Sequence, residues 1–134
     1  MPGYTLTTTV HQPFAETVEA VRAALGEQGF GVLTEIDIKA TMKAQLDVDV
    51  DPQVILGACR PQLAHQAIAA DPSIATVLPC NVVVRAAGAE TTVVEAFDPD
   101  AMMGLAGASE TLQAVAADAK GRLIAAFSSL TRER

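Results

Sequence analysis

Two cysteines carry most of the reactive chemistry this chain can offer, and each stands where a strand gives way to another element. Cys59 ends the apolar run Val54-Ile55-Leu56-Gly57-Ala58-Cys59 and is followed by Arg60-Pro61, the opening of a short helix. A thiol near the positive end of a helix and beside a guanidinium loses its proton more readily, and the thiolate is the species that attacks electrophiles and binds soft metals. The plain alternative is that Cys59 is a small apolar filler, since cysteine is among the most buried residue types. Cys80 precedes Asn81 and the β-branched strand Val82-Val83-Val84, so its meaning depends on topology. If the two strands ran parallel, the cysteine-bearing ends would lie a strand length apart, roughly 15 to 20 Å. If they are antiparallel, or if residues 73–79 form a returning segment, the Cα atoms can approach the roughly 5 to 6 Å that a disulfide requires. The spacing leaves both arrangements open.

Three functional readings follow. In the first, Cys59, Arg60, Cys80 and Asn81 form a ligand-binding set, with Asn81 offering amide donors and an acceptor. Its metal form adds His65 to Cys59 and Cys80, because copper and zinc accept thiolate and imidazole together, and a soft metal ion is the cofactor such a set would hold. On a helical wheel, however, His65 points away from the apolar stripe Leu63, Ala64, Ala67 and Ile68, as a solvated histidine does. The second reading is a thiol-dependent enzyme or redox sensor with Cys59 as nucleophile and Cys80 as resolving partner. In the third, both cysteines belong to the core and an interaction surface is the function. No base is convincingly placed near either thiol, so binding ranks first and no catalytic residue is assigned.

Other patterns fail on specific residues. Asp47, Asp49 and Asp51 imitate the start of a calcium loop, but Pro52 stands at the sixth position where Gly is required and Ala58 at the twelfth where Glu should chelate. Gly29-Phe30-Gly31 lacks the third glycine and the strand-turn-helix context of a dinucleotide site. Asp37 is explained as a helix cap, and His11 has no companion ligands.

The elements that must position the cysteines can be taken in order. Tyr4 to Val10 alternates at period two and predicts a first strand. Pro13 to about Gln28 predicts a helix, with Phe14, Val18, Val21 and Leu25 at helical spacing and Gly29 just past its end. Phe30 to Ile38 predicts a second strand pairing with the first. A short helix capped by Asp37 follows, with Ile38, Met42 and Leu46 inward and Lys43 with Asp47 outward. After the Cys59 strand, the helix from Arg60-Pro61 closes at Asp71-Pro72. Val82 to Ala86 and Thr92 to Phe97 predict a hairpin across residues 87–91. Residues 102–107, Met-Met-Gly-Leu-Ala-Gly, predict a flexible loop that packs at a dimer contact in preference to a pocket lid. Ser109 caps a last helix running to about Leu130, with Leu112, Val115, Ala119, Leu123, Ile124, Phe127 and Leu130 on one broad face. Gly121 within it costs roughly 1 kcal/mol relative to Ala, which predicts a close neighbour. The order implies one α/β domain of α+β type: two layers, a mixed and mostly antiparallel sheet of about five strands, and helices mainly on one face.

Whole-chain properties narrow the classes further. A chain of 134 residues buries roughly two-thirds of its unfolded surface as a single domain, without need of a disulfide or structural metal. Its formal charge of -7, with nine scattered Lys and Arg, opposes nucleic acid and anionic membrane surfaces alike. No apolar run is long enough to span a bilayer and the first residues do not resemble a signal peptide, so a cytoplasmic location with free thiols is expected.

Several blocks also resemble a known family. Phe30-Gly31-Val32-Leu33, Ile36-Asp37 with Ala40-Thr41, Ile55-Leu56-Gly57-Ala58-Cys59 with Pro61 and Leu63-Ala64, Leu78-Pro79-Cys80-Asn81-Val82-Val83-Val84, and Asp98-Pro99 resemble the bacterial and archaeal domain-of-unknown-function family numbered 302. The likeness spans nearly the whole chain, and the cysteine-bearing blocks are its most specific part. It implies a compact α/β domain that forms homodimers, with no activity assigned to the family as a whole. Arg60 stands where Asn is common in the family and Val54 where an aromatic is common, so contacts made by those side chains elsewhere do not transfer.

Overall fold

A computed structural model describes residues 3–101 and 109–131. The strands are β1 (Thr5–Val10), β2 (Gly31–Asp37), β3 (Gln53–Cys59), β4 (Cys80–Gly88) and β5 (Thr91–Phe97). The helices are α1 (Phe14–Glu27), α2 (Ile38–Leu46), α3 (Pro61–Ala70) and α4 (Glu110–Leu130), with a 3-10 helix over Pro72–Val77 between α3 and β4. The predicted loop at residues 102–107 lies outside the described residues.

The sheet has the order β1-β5-β4-β3-β2, and every neighbouring pair is antiparallel. The expected two-layer α+β domain is therefore present, but the parallel component of the expected mixed sheet is not. The expected pairing of the first two strands is also corrected: β1 and β2 occupy opposite edges. Both strands flanking α1 have a different preferred partner. β2 returns through α2 to pair with β3, and β1 pairs with β5.

Side-chain alternation sorts the sheet into two faces. Val10, Val54, Leu56, Ala58, Val82, Val84, Val94 and Ala96 are buried against Val21, Ala24 and Leu25 of α1 and Leu123, Ala126, Phe127 and Leu130 of α4. A smaller cluster joins Ala67 of α3, Ile74 of the 3-10 helix and Leu112 of α4. Leu25, Leu56 and Leu123 are fully buried, and each contributes about 1.5 to 3 kcal/mol of apolar burial.

Local chemistry sets the element ends. The Asp37 carboxylate accepts from the Ala40 amide at 2.9 Å, and the Ser109 hydroxyl accepts from the Leu112 amide at 3.2 Å, so both expected caps are present. Gly29 ends α1 with a φ of 85°, the left-handed region open to glycine at least strain. Three apolar residues expected inside are instead exposed: Leu46 of α2, Ile68 of α3 and Ile124 of α4. Helical period alone draws each stripe too wide, because it does not fix where the neighbouring element stops. Gly121 has nothing within 4 Å of where a Cβ would stand, so the predicted close neighbour is absent among the described residues.

Candidate functional site

The 3-10 helix and the segment after it decide how the cysteines meet. Residues 72–79 turn the chain back, through a cis Leu78–Pro79 peptide, so that β4 begins at Cys80, two residues before the expected Val82. Pro79 lies across β3 at Gly57, where a Cβ would stand 2.9 Å from Pro79 Cγ and would also strike Thr34 Oγ1. Glycine at 57 is what lets that approach happen. β4 then runs antiparallel to β3 with Cys80 opposite Ala58, one residue from Cys59. The antiparallel alternative holds, and both thiols, each free, reach one cavity wall.

That cavity has a volume of about 70 Å³ and sits between the two core clusters. The sheet side contributes Phe30, Ala58, Cys59, Cys80 and Phe97; α3 contributes Leu63, Ala64 and Ala67, with Arg60 at its start. Ile74 and Leu78 close one end, and Leu112, Val115, Ala116 and Ala119 of α4 form the far wall together with Pro99. Lys120 fixes the Pro99 segment to α4, with Nζ 3.2 Å from Asp98 Oδ2 and 2.8 Å from Asp100 Oδ2. Among the described residues Arg60 is the one charged member of the wall, and the five alanines leave the space unfilled.

The polar groups of the wall are few. Burial, with the neighbouring Cys59 thiol as a smaller cause, pushes the Cys80 thiol up from 9.0 to about 11. A protonated Cys80 is a weak nucleophile and gives up its proton to a metal only at a cost. Arg60 is the N-cap residue of α3, and its carbonyl accepts from the amides of Leu63 and Ala64, each at 3.0 Å. Its side chain lies against bare Gly29, where a Cβ would stand 3.0 Å from Nε. That Nε is buried and has no hydrogen-bond partner among the described residues.

Two expected site residues fall elsewhere. Asn81 is exposed and pairs with Gly57, which by alternation turns its side chain to the sheet face opposite Cys80, and it does not line the cavity. His65 is exposed on α3, and among the described residues no three His, Cys, Asp or Glu side chains come together to hold a metal ion. The structure thus brings together Cys59, Arg60 and Cys80 and leaves out Asn81 and His65. The far wall was missed, although Leu112, Val115 and Ala119 shared an apolar helical stripe. A stripe marks an inward face; the signal for a gap was the recurrence of alanine at 58, 64, 67, 116 and 119.

A second polar group lies on the opposite sheet face. Glu95 accepts from Arg85 Nη1 at 2.7 Å and from Thr7 Oγ1 at 3.1 Å. Hydrogen bonds from Thr5 and Arg85, then Thr7, hold its carboxyl below the usual carboxylate range. Sequence analysis did not single it out, because Arg85 and Glu95 come into line only through the β4–β5 register.

The chain was compared with known proteins. A search of the curated proteins finds no match. A crystal structure of an uncharacterized conserved protein, DUF302, from Bacillus stearothermophilus is 28% identical, with a TM-score of 0.85 over 95% of this chain and 98% of that one. The family model described as "Domain of unknown function DUF302" matches residues 6–130, a span that takes in all five strands but for Thr5, both thiols and the described cavity wall. Agreement of profile and fold over the same residues places this chain in the DUF302 family.

Proposed function

We propose that the protein is a binding module for a small, largely apolar molecule, held in the cavity between α3, the 3-10 helix and α4. The observation that carries this reading is the cavity wall itself: among the described residues it is apolar but for one guanidinium, with two thiols at the sheet side. Ligand sites combine such walls with a few polar groups that set orientation. Among the described residues no Asp, Glu or His lines the cavity to serve as a general base, which favours binding over catalysis. The soft-metal form of the reading is supported by the two thiols on one wall, and is weakened by the raised Cys80 pKa.

The test is a titration with 1-hexanol followed by amide chemical shifts. Shifts confined to α3, α4 and the ends of β3 and β4 are expected, and an unperturbed cavity would overturn the reading. Metal analysis of the reduced protein tests the metal form, with sub-stoichiometric copper and zinc removing it.

The homodimer and the cytoplasmic location implied above remain part of this proposal. Reduced thiols suit a reducing compartment. Among the described residues no helix is long and apolar enough to cross a membrane. The sheet face carrying Ile55, Val83 and Val93 also carries the Arg85–Glu95 pair, and a second copy related by a two-fold axis would meet it with complementary charge.

A further inference from the structure

We propose that Arg60 is an anion receptor and that the ligand of the cavity is a short-chain carboxylate, its apolar body between α3 and α4 and its carboxylate at the guanidinium. The proposal rests on the binding reading above and adds to it the charge and size of the ligand.

The first argument is the partnership of every other described lysine and arginine. Arg22 pairs with Glu35, Arg85 with Glu95 at 2.7 Å, Arg122 with Asp118 at 2.6 Å and Lys43 with Asp47 at 2.8 Å. Lys120 holds Asp98 and Asp100, and Lys39 donates to the Val50 carbonyl at 3.0 Å. Arg60 alone has neither an ion pair nor a side-chain hydrogen bond among the described residues, in a chain whose formal charge is -7. A buried charged donor without an acceptor is a standing cost to the fold, and such a group calls for an explanation.

The second argument is placement. The Arg60 stem lies across Gly29, whose missing Cβ gives it room, and the residue is only half-buried, at the rim of the cavity. Behind the guanidinium the wall is apolar, so the natural occupant has one anionic end and a hydrocarbon body.

Charge count and volume then narrow the class. One guanidinium offers a fork that matches one carboxylate, whereas a phosphate dianion brings two charges and calls for several donors. A cavity of about 70 Å³ accommodates roughly five water-sized groups at about 10 to 15 Å³ each, which corresponds to an acid of about four to six carbons.

The test titrates hexanoate and 1-hexanol into the wild type, Arg60→Gln and Ala119→Leu by calorimetry. Hexanoate is expected to bind the wild type about ten-fold more tightly than hexanol. Arg60→Gln should remove that advantage and leave hexanol within about two-fold, since a hydrogen bond to a charged group is lost. Ala119→Leu, which narrows the cavity from α4, should weaken both ligands. Equal affinity of hexanoate and hexanol for the wild type, or equal weakening by Arg60→Gln, overturns the anion receptor and leaves the binding reading standing. Failure of both ligands to bind overturns the two together. If Arg60→Gln does not fold, the wild type decides: hexanoate affinity must fall as the acid is protonated, while hexanol affinity stays flat. A flat hexanoate profile overturns the proposal.

Discussion

Cys80 is the residue through which pH should act most visibly. Its thiol is raised from 9.0 to about 11, so between those values the unfolded chain has lost a proton that the folded chain keeps. Stability is then fully present below about pH 9 and falls as pH rises toward 11, by on the order of 2 kcal/mol. Urea unfolding of the wild type and Cys80→Ala across that window checks this, and the two should differ in slope with pH. Alkylation of Cys80 in a Cys59→Ala background should likewise stay slow at neutral pH and accelerate on unfolding. Gly29 supplies a second residue-scale test. Gly29→Ala would force a Cβ into a φ of 85° and to within 3.0 Å of Arg60 Nε, so a loss of roughly 1 to 2 kcal/mol is expected from thermal unfolding. At this scale the sequence disclosed which residues were chemically able, Cys59, Arg60 and Cys80, but not Asn81's departure. The facing of Asn81 depends on register, since a shift of one residue sends every side chain of a strand to the other face.

Among the elements, α4 shows both what periodicity reveals and where it stops. Leu112, Leu123, Phe127 and Leu130 are buried as their spacing predicted, while Ile124 is 47% exposed, beyond the width of sheet that α4 covers. Gly121 has open space around it, so Gly121→Ala should stabilise by roughly 1 kcal/mol and raise the melting temperature by a few degrees. A fall in melting temperature would mean that the helix meets a neighbour there after all. The 3-10 helix was the element hardest to read. Its six residues are too short for a helical period to show, yet it turns the chain so that Cys80 arrives beside Ala58. Ile74, its one buried residue, joins Ala67 and Leu112, so Ile74→Ala should cost about 2 to 4 kcal/mol and enlarge the cavity. Hexanol binding measured beside unfolding would show whether the added space is used.

For the molecule as a whole, fold class was legible because alternation and helical period each name a buried face, and two layers are the economical way to join them. Strand order was not, because nothing local distinguishes pairing with the next strand from pairing with a distant one. The same sheet gives the test of assembly: Val83→Lys places a charge on the face proposed for the second copy, beside Glu95 in register, and should convert a dimer to a monomer in sedimentation velocity without changing the circular dichroism spectrum. A wild type that sediments as a monomer would overturn the proposed dimer, and a variant that stays dimeric would place its contact elsewhere. With β1 and β2 on opposite edges, α1 must bridge the sheet, and its fourteen residues reach about 21 Å, close to the width of about 19 Å between the outer strands. Among the described residues β1 has β5 for its one ladder, so it waits, unzipped, until residue 97 has been made. Until then a threonine-rich ribbon stays open, and its hydroxyls, more than any apolar side chain, keep that waiting edge wetted and unattractive to other nascent chains.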